Sequence, residues 1–394
     1  MTQDNGSNTR SEPVRLPPPT MVNTPEQVDA LARTLRGVRR LAVDTESNSL
    51  YAYEPQVCLI QLSTDEQDWL VDPLMLDDPA RHLTFLGDIF ADDAVEKVLH
   101  AAEYDVMTLN RDYGFEFASL FDTMIAARVL GWEQIGLGSI LKQEFGVEVN
   151  KRHQRADWGR RPIKPDMIRY ARMDTHYLLT LRDKLYGMLA KGDHVEEAQE
   201  MFDEVAQARW SGNGFEEDGF WRITGARELS PRAAAVLQSV YLFRETQAAR
   251  QDVPVFKVMG DKALVALARA KPRSLDALEK VKGISGYHVR RYGNDLLDAI
   301  RRGLKAEPPS PPARSTPPVD EQTLRRYDAL HTWRKKRAIK RGVSSEVIVS
   351  KDALWEMAHA VPRNLDELSA LEHIGPWRVK TYGNEILNVL ADAG

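Results

Sequence analysis

The spacing of apolar and polar positions changes along the chain, and its first part carries short apolar runs of strand length. RLAVDTE (40–46), VCLIQLS (57–63) and DWLVD (68–72) follow one another closely, and KVLH (97–100) comes next. Beyond these runs, apolar residues recur every three or four positions, which is typical of helices that bury one face. This order predicts an α/β domain that begins with an antiparallel meander.

The rest of the chain contains the same helical pattern twice. Residues 262–300 match residues 352–390 without a gap, at a constant offset of 90. In each copy apolar residues recur at helical spacing, and a residue favoured as a helix N-cap, Ser274 or Asn364, opens a segment LDAL or LDEL. Each copy is therefore predicted to be a small all-α domain.

Changes in composition divide the chain. The proline density of KAEPPSPPARSTPPVD disfavours helix and sheet and predicts an extended spacer between two independent units. A weaker boundary lies at WSGNGFEEDG. We predict a disordered tail at 1–24, an α/β domain at 25–215, helical domains at 228–304 and 321–394, and a Pro-rich linker at 305–320.

Composition is ordinary for a globular protein, with 394 residues, 43% hydrophobic content and a net charge of −5. No apolar run approaches the roughly 20 residues that span a bilayer, and the first 20 residues lack the apolar segment of a secretory signal. The single cysteine, Cys58, excludes an intrachain disulfide. We expect a cytoplasmic monomer with no membrane contact, whose affinity for nucleic acid would depend on local basic patches.

Four carboxylates stand where apolar residues are expected. Asp44 and Glu46 share one face of a strand, while Asp105 and Asp174 interrupt apolar helical stripes. Each alone is also typical of a turn residue, an N-cap or an ion-paired core acid. A buried, unpaired carboxylate costs several kcal/mol or becomes protonated, and a bound cation removes that cost. Together the four acids indicate a site for hard cations such as Mg²⁺ or Mn²⁺.

The segments DTE, HAAEYD and YARMD resemble, in order and form, the three exonuclease motifs of the DEDD superfamily. Tyr170 precedes Asp174 with the Tyr-x3-Asp spacing of the DEDDy branch, and Arg169 stands where the sister branch has histidine. LIQLS, LVDPL, FDTMIAARVLG and ADWGRRP resemble ribonuclease D, and the helical repeats resemble its HRDC modules. The resemblance extends from about residue 25 to the C-terminus. It implies a ribonuclease H-like domain, with a mixed sheet flanked by helices, followed by two HRDC-like domains.

The resemblance also implies an activity. Members of this family are 3′→5′ exoribonucleases that release 5′-mononucleotides and trim structured RNA such as transfer RNA precursors. Asp44, Glu46, Asp105 and Asp174 would hold two divalent ions, Mg²⁺ or Mn²⁺, and Tyr170 would orient the attacking water. Tyr170 also has a simpler interpretation as a core tyrosine. The alternatives for the whole chain are a DNA exonuclease and a catalytically silent nucleic-acid-binding scaffold, and the complete acid set argues against the scaffold.

Two basic segments are candidates for RNA contact. Residues 151–172 hold eight basic residues and two acids, and residues 325–341 hold eight basic residues and one acid. The candidates are Lys151, Arg152, Arg155, Arg160, Arg161, Arg334, Lys335, Lys336 and Arg337. The first segment is equally typical of a solvated charged surface. The HRDC-like copies could also be packing or protein-interaction modules, but the basic cluster of the second copy favours nucleic-acid binding there.

Further residues near the motifs complete the prediction. We interpret His100 and His176 as structural. Asp122 could be a capping acid or an acid that supports the metal ligands from behind, and the resemblance implies a structural role near the site. The backbone N–H groups of the glycine-containing loops of the repeats are potential phosphate sites. His373 replaces Gly283 in the second loop, so the two copies need not make the same contacts.

Overall fold

A computed structural model of the chain, which describes residues 17–212, 214–312 and 319–394, shows an α/β domain followed by two helical units. The strands are β1 (Thr20–Val22), β2 (Arg40–Ser47), β3 (Val57–Ser63), β4 (Asp68–Val71), β5 (Glu96–Leu99) and β6 (Leu120–Asp122). They form one sheet in the order β1-β4-β3-β2-β5-β6. β2, β3 and β4 are antiparallel neighbours, and the other pairs are parallel. The predicted mixed sheet with its antiparallel meander is confirmed.

The helices of this domain flank the sheet. They are α1 (Pro25–Thr34), α2 (Pro79–His82), α3 (Thr84–Ala91), α4 (Glu103–Tyr113), α5 (Thr123–Val129), α6 (Leu137–Phe145), α7 (Pro165–His176), α8 (Leu178–Lys191) and α9 (Val195–Ala206), with 3-10 turns at Pro73–Met75 and Lys151–His153. Every residue of β3 is buried. Because side chains of a strand alternate between the two faces of a sheet, protein covers both faces there. α7 packs against β2, β3 and β4.

The acidic pair lies where β2 extends past its parallel neighbour. β2 pairs with β5 only over Arg40–Ala42, so Asp44 and Glu46 lie beyond the end of that pairing. On the antiparallel side Asp44 is opposite Gln61, and the register shifts between Glu46 and Ser47. Clefts beyond the carboxyl ends of parallel strands are common ligand sites in α/β domains.

The helical repeat predicted from the sequence is confirmed element by element. The first unit comprises α10 (Pro231–Gln251), α11 (Val255–Val258), α12 (Asp261–Ala270), α13 (Leu275–Glu279) and α14 (Gly286–Lys305), after a 3-10 turn at Glu217–Arg222. The second comprises α15 (Glu321–Arg341), α16 (Ser345–Ile348), α17 (Lys351–Ala360), α18 (Leu365–Ser369) and α19 (Pro376–Ala393). Every helix of the second unit starts 90 residues after its counterpart. Ser274 and Asn364 cap α13 and α18 as predicted.

The predicted disordered tail is wrong for Thr20–Val22, which forms β1 and pairs in parallel with β4. The apolar side chain of Val22 is buried in the main core, which explains why this short strand joins the sheet. Residues 1–16 lie outside the described residues. The predicted linker starts one residue later than expected, because α14 runs through Lys305. Linker residues 313–318 lie outside the described part of the chain.

The second helical unit is not an independent body. Val347 of this unit belongs to the main hydrophobic core of the α/β domain, and α19 packs against α9. Arg341 forms an ion pair with Glu197, and Arg378 forms one with Glu200. The sequence predicted a spacer between independent units, whereas the structure shows the second unit docked on the first domain. In the described part of the chain, no helix combines the length and apolar character needed to cross a membrane.

Candidate active site

Three carboxylates from two elements converge at the end of β2. Oxygens of Asp44, Glu46 and Asp174 all lie within 4.8 Å of one another. Strand geometry places the first two side chains on the same face, and α7 brings Asp174 to them by packing against β2. The structure therefore brings together three of the four predicted ligands in one group that could hold a metal ion.

Asp105, the fourth predicted ligand, lies beside this group rather than within it. Its buried side chain, in the first turn of α4, accepts a hydrogen bond from Thr45 Oγ1. It is close enough for its charge to raise the pKa of Asp44 and Asp174. The sequence did not single out Thr45, because a hydroxyl between two acids carries no distinctive spacing.

Burial and mutual repulsion strongly favour the protonated forms of these acids. Burial raises the pKa of Asp174 to about 8, with a further contribution from Asp105, and burial raises the pKa of Asp105 to about 7 although the hydrogen bond from Thr45 opposes the shift. The pKa values of Asp44 and Glu46 are also raised well above their ordinary range, first by burial and then by the neighbouring carboxylates. Such a cluster is stabilised in its charged form by a cation.

The donor set fits a hard divalent cation. Carboxylate oxygens are the ligands that Mg²⁺ and Mn²⁺ prefer. Gln61, opposite Asp44 in the sheet, donates a hydrogen bond from Nε2 to Asp44 Oδ2 over 3.1 Å. Its buried Oε1 has no hydrogen-bond partner among the described residues. Gln61 was missed by the sequence analysis, although a polar residue inside the apolar run VCLIQLS was a signal for it.

Tyr170 faces the carboxylates. It lies one helical turn before Asp174 on α7, and its ring contacts those of His153 and Trp158 at centroid distances of 6.0 and 6.1 Å. Burial, followed by the charges of Asp174, Glu46 and Asp44, raises the pKa of Tyr170. Its hydroxyl therefore stays protonated beside the acidic group.

A buried polar network fixes α7 on the sheet. Asp68 of β4 accepts hydrogen bonds from Arg172 and from His176, the latter with a distance of 2.9 Å between Nδ1 and Oδ2. Ser63 Oγ lies 2.7 Å from Oδ1 of the same carboxylate and 2.7 Å from Thr175 Oγ1. These bonds give His176 a structural contact, as predicted, and hold the helix that carries Tyr170 and Asp174.

Asp122 has the predicted capping role and one contact that was not predicted. Its side chain accepts hydrogen bonds from the N–H groups of Met124 and Ile125 at the start of α5. It also accepts from the N–H groups of Ala101, whose φ is +61°, and Ala102. Asp122 thereby fixes the turn that leads into α4 and Asp105.

His100 is held in a structural position. Its Nδ1 lies 2.9 Å from Thr123 Oγ1, and burial lowers the pKa of its imidazole. A neutral, hydrogen-bonded histidine agrees with the structural interpretation made from the sequence.

The basic candidates beside the site differ in exposure and in whether an acidic residue already pairs with them. Lys151, Arg152 and Arg155 are exposed, and Arg160 is exposed but pairs with Asp157. Arg161 is different, because its side chain turns inward.

The guanidinium of Arg161 donates to both carboxylate oxygens of Asp72 over 2.6 Å and to the carbonyl oxygens of Cys58 and Trp158 over 2.7 Å. These contacts occupy its donors, so the prediction that Arg161 contacts RNA is wrong. Its partner Asp72 is 89 residues away, which explains why the local charge pattern did not reveal the pairing.

The candidates in the second helical unit divide in the same way. Lys335 and Lys336 are exposed. Arg334 is buried and donates to the carbonyl oxygen of Val349 over 3.1 Å, and Arg337 pairs with Glu385. RNA contact through Arg334 is therefore wrong, and Arg337 is committed to an internal ion pair.

The expected phosphate site at the second loop is also filled from within the chain. Glu200 of α9 accepts a hydrogen bond from the backbone N–H of Trp377 over 2.7 Å, and it pairs with the Arg378 side chain. A Cβ atom on Gly375 would lie only 2.0 Å from Glu200 Cδ. The glycine thus admits a carboxylate of the α/β domain to the start of α19.

Comparison with known proteins agrees with this architecture. A family model described as 3′-5′ exonuclease matches residues 19–190, and the HRDC domain model matches residues 233–300 and 323–390. The exosome complex component 10 homolog of Caenorhabditis elegans is 31% identical over 299 residues, which cover 74% of this chain and 33% of that protein. Ribonuclease D of Acidiphilium cryptum is 29% identical over 387 residues, which cover 95% of this chain and 93% of the relative. The chain spans only 33% to 41% of the first three curated relatives it matches.

Two solved structures share the fold. Escherichia coli RNase D, described as an exoribonuclease involved in structured RNA processing, gives a TM-score of 0.68 at 25% identity and covers 95% of this chain and 99% of its own. The catalytic core of RRP6 from Trypanosoma brucei gives a TM-score of 0.64 at 27% identity, over 75% of this chain and 82% of that core. Both matches extend beyond the α/β domain into the helical part.

Proposed function

Since the chain belongs to the 3′-5′ exonuclease family, in the ribonuclease D-like form with two HRDC domains, we propose that it is a metal-dependent 3′→5′ exoribonuclease that releases 5′-mononucleotides. The observation that carries this proposal is the convergence of Asp44, Glu46 and Asp174 within 4.8 Å. The raised pKa values of these acids support it, because they mark a cluster that needs positive charge.

The proposed chemistry assigns a task to each group of the site. Two divalent ions, Mg²⁺ or Mn²⁺, supply an activated water and neutralise the leaving oxygen when bound. Asp44, Glu46 and Asp174 would hold them, with Asp105 completing the set from α4. The protonated hydroxyl of Tyr170 would orient the attacking water by hydrogen bonding, because it lies one turn from Asp174 on the same face of α7.

The proposed substrate is structured RNA with an accessible 3′ end, such as a transfer RNA precursor. The similarity to Escherichia coli RNase D, an exoribonuclease involved in structured RNA processing, supports this substrate class. Lys151, Arg152 and Arg155, which are exposed in the segment leading to α7, would contact backbone phosphates. We further propose that the protein works as a monomer in the cytoplasm, which size-exclusion chromatography with light scattering and cell fractionation would test.

Matched RNA and DNA oligonucleotides, labelled at either the 5′ or the 3′ end, test the activity. With Mn²⁺ or Mg²⁺, a 5′ label should show stepwise shortening while a 3′ label is released at once as a mononucleotide. A chelator should stop the reaction, and Asp174→Asn is the inactive control. Equal degradation of DNA would instead support the DNA exonuclease, and RNA binding without hydrolysis under any metal would support the scaffold.

A further inference from the structure

Four aromatic rings form a row on the surface of the second HRDC domain. The rings of His331 and Tyr327 are inclined by 14° with centroids 6.1 Å apart, those of Tyr327 and Trp355 by 18° at 4.0 Å, and those of Trp355 and His359 by 30° at 6.0 Å. The row crosses from α15 to α17. Tyr327 and Trp355 are partly exposed, and the two histidines at its ends are exposed.

The first HRDC domain lacks this row at the equivalent positions. Leu237, Tyr241, Val265 and Arg269 lie there, 90 residues earlier. The first three are buried in the core of that domain, where Tyr241 contacts the ring of Phe220 in the preceding 3-10 turn. Three of the four equivalents are not aromatic, and the ring of the fourth, Tyr241, is buried. The fold therefore does not require a row of rings at these positions, and the second copy carries one on an open surface.

An exposed lysine lies beside the row on each of its two helices. Lys335 lies one turn beyond His331 on α15, and Lys351 lies one turn before Trp355 on α17, so helical periodicity places each on the face of its ring. Both lysines are exposed, and neither forms a salt bridge to another described residue. The surface thus combines π-faces with free cations, which is the pairing that single-stranded nucleic acids bind.

We propose that this aromatic row is a stacking platform for unpaired bases of RNA. Bases would continue the row at its ends, against the imidazole rings of His331 and His359, while Tyr327 and Trp355 hold those rings in line. Lys335 and Lys351 would contact the phosphates between stacked bases. The inference rests on the proposed function, because that function makes RNA the substrate.

Binding to two labelled RNAs of equal length tests the platform, with the full chain kept in a chelator so that no hydrolysis occurs. One RNA is oligoadenylate and the other is a blunt hairpin. The double variant His331→Ala/His359→Ala should bind oligoadenylate at least roughly 25-fold more weakly, because it removes two stacked bases that each contribute at least about 1 kcal/mol and about 1.4 kcal/mol corresponds to a factor of ten. Its affinity for the hairpin should change little, since paired bases offer no free face.

Control variants separate stacking from other effects. Tyr287→Ala removes an aromatic ring that is 52% exposed in the first HRDC domain, and it should leave both affinities unchanged. The double variant His331→Phe/His359→Phe keeps a ring at both positions, so it should bind oligoadenylate with about the parental affinity. Lys335→Ala and Lys351→Ala should each reduce the slope of log affinity against log salt by about 0.7.

Several results would overturn the platform. Parental affinity of the double alanine variant for oligoadenylate would do so, as would an equal loss for the blunt hairpin. A self-association that the double variant abolishes, with RNA affinity unchanged, would assign the row to a second copy of the chain. Hydrolysis of a short oligonucleotide with Mn²⁺ is measured separately, so a missing activity would count against the proposed function and leave the binding result standing.

Discussion

The ion pair between Arg341 and Glu197 should decide whether the second HRDC domain stays docked. Glu197 has an exposed side-chain fraction of 0% in the docked structure, and its Oε2 has no hydrogen-bond partner among the described residues. Arg341 donates to Oε1 and also reaches the carbonyl oxygen of Val129 over 3.4 Å. Replacing Arg341 by methionine keeps the apolar stem of the side chain but removes the permanent cation beside the buried carboxylate. The remaining charge partner of Glu197 is then the imidazole of His194, whose Nδ1 lies 3.5 Å from Oε2.

Removing one partner of a buried ion pair typically costs about 3–5 kcal/mol. Because about 1.4 kcal/mol corresponds to a factor of ten, Arg341→Met should shift the docking equilibrium roughly 100-fold or more towards the undocked form. Limited proteolysis in the segment 306–320 and small-angle X-ray scattering should detect a released domain. Arg325→Met, which breaks the exposed pair with Glu321, is the matched control and should change little, because surface pairs contribute about 0–1 kcal/mol.

The double variant Arg341→Met/Glu197→Leu distinguishes charge burial from lost packing. It removes both charges, so it should recover most of the docking lost in the single variant. A single variant that stays docked with parental protease resistance would refute this reasoning, and so would a double variant as disrupted as the single one.

Three further outcomes follow from the site. Asp44→Asn and Asp174→Asn should abolish hydrolysis with the fold intact by circular dichroism, and near-parental turnover by either would remove that acid from the ligand set. Tyr170→Phe should lower the single-turnover rate at least tenfold, roughly 1.4 kcal/mol, with RNA affinity unchanged; an unaltered rate would make it a core tyrosine. The pKa values of Asp105 and Asp174 are raised to about 7 and about 8 in the folded protein, whereas a carboxyl group of the unfolded chain has a pKa of about 4. In chelator these two groups therefore contribute folding stability that is fully present below about pH 4 and is lost as the pH rises to about 8. In chelator the melting temperature should therefore be lower at pH 8.5 than at pH 5.5. Addition of Mn²⁺ should raise the melting temperature more at pH 8.5 than at pH 5.5. A melting temperature independent of pH would contradict this account of the carboxylate charges.

The sequence predicted what local spacing determines. Strand alternation placed Asp44 and Glu46 on one face, and helical periodicity placed Tyr170 one turn before Asp174; in the structure these side chains lie together. The repeat offset of 90 gave every helix start of the second unit from the first. Each of these predictions needs only neighbouring positions on one element or a comparison of the chain with itself.

What the sequence did not predict depends on partners that are distant in the chain. Arg161 looked like a free cation because its partner Asp72 lies 89 residues earlier, and Glu200 meets Arg378 across a separation of 178 residues. In both cases the acidic partner lies far away in the chain, so no local residue pattern reveals that the arginine is paired. Basic segments therefore predicted where positive charge lies, but not which guanidinium groups remain free to bind RNA.

The docking contact explains why the two HRDC loops diverge, and it limits how the second can bind RNA. In the first loop, Ser285 and the His288 side chain form a capping box at the start of α14. In the second, the Glu200 carboxylate accepts from the first turn of α19, where the helix dipole favours negative charge. An RNA phosphate would have to displace that carboxylate and leave Arg378 without its partner. The proposed RNA binding by the docked domain therefore requires another surface, and the exposed lysines beside the aromatic row are available for it.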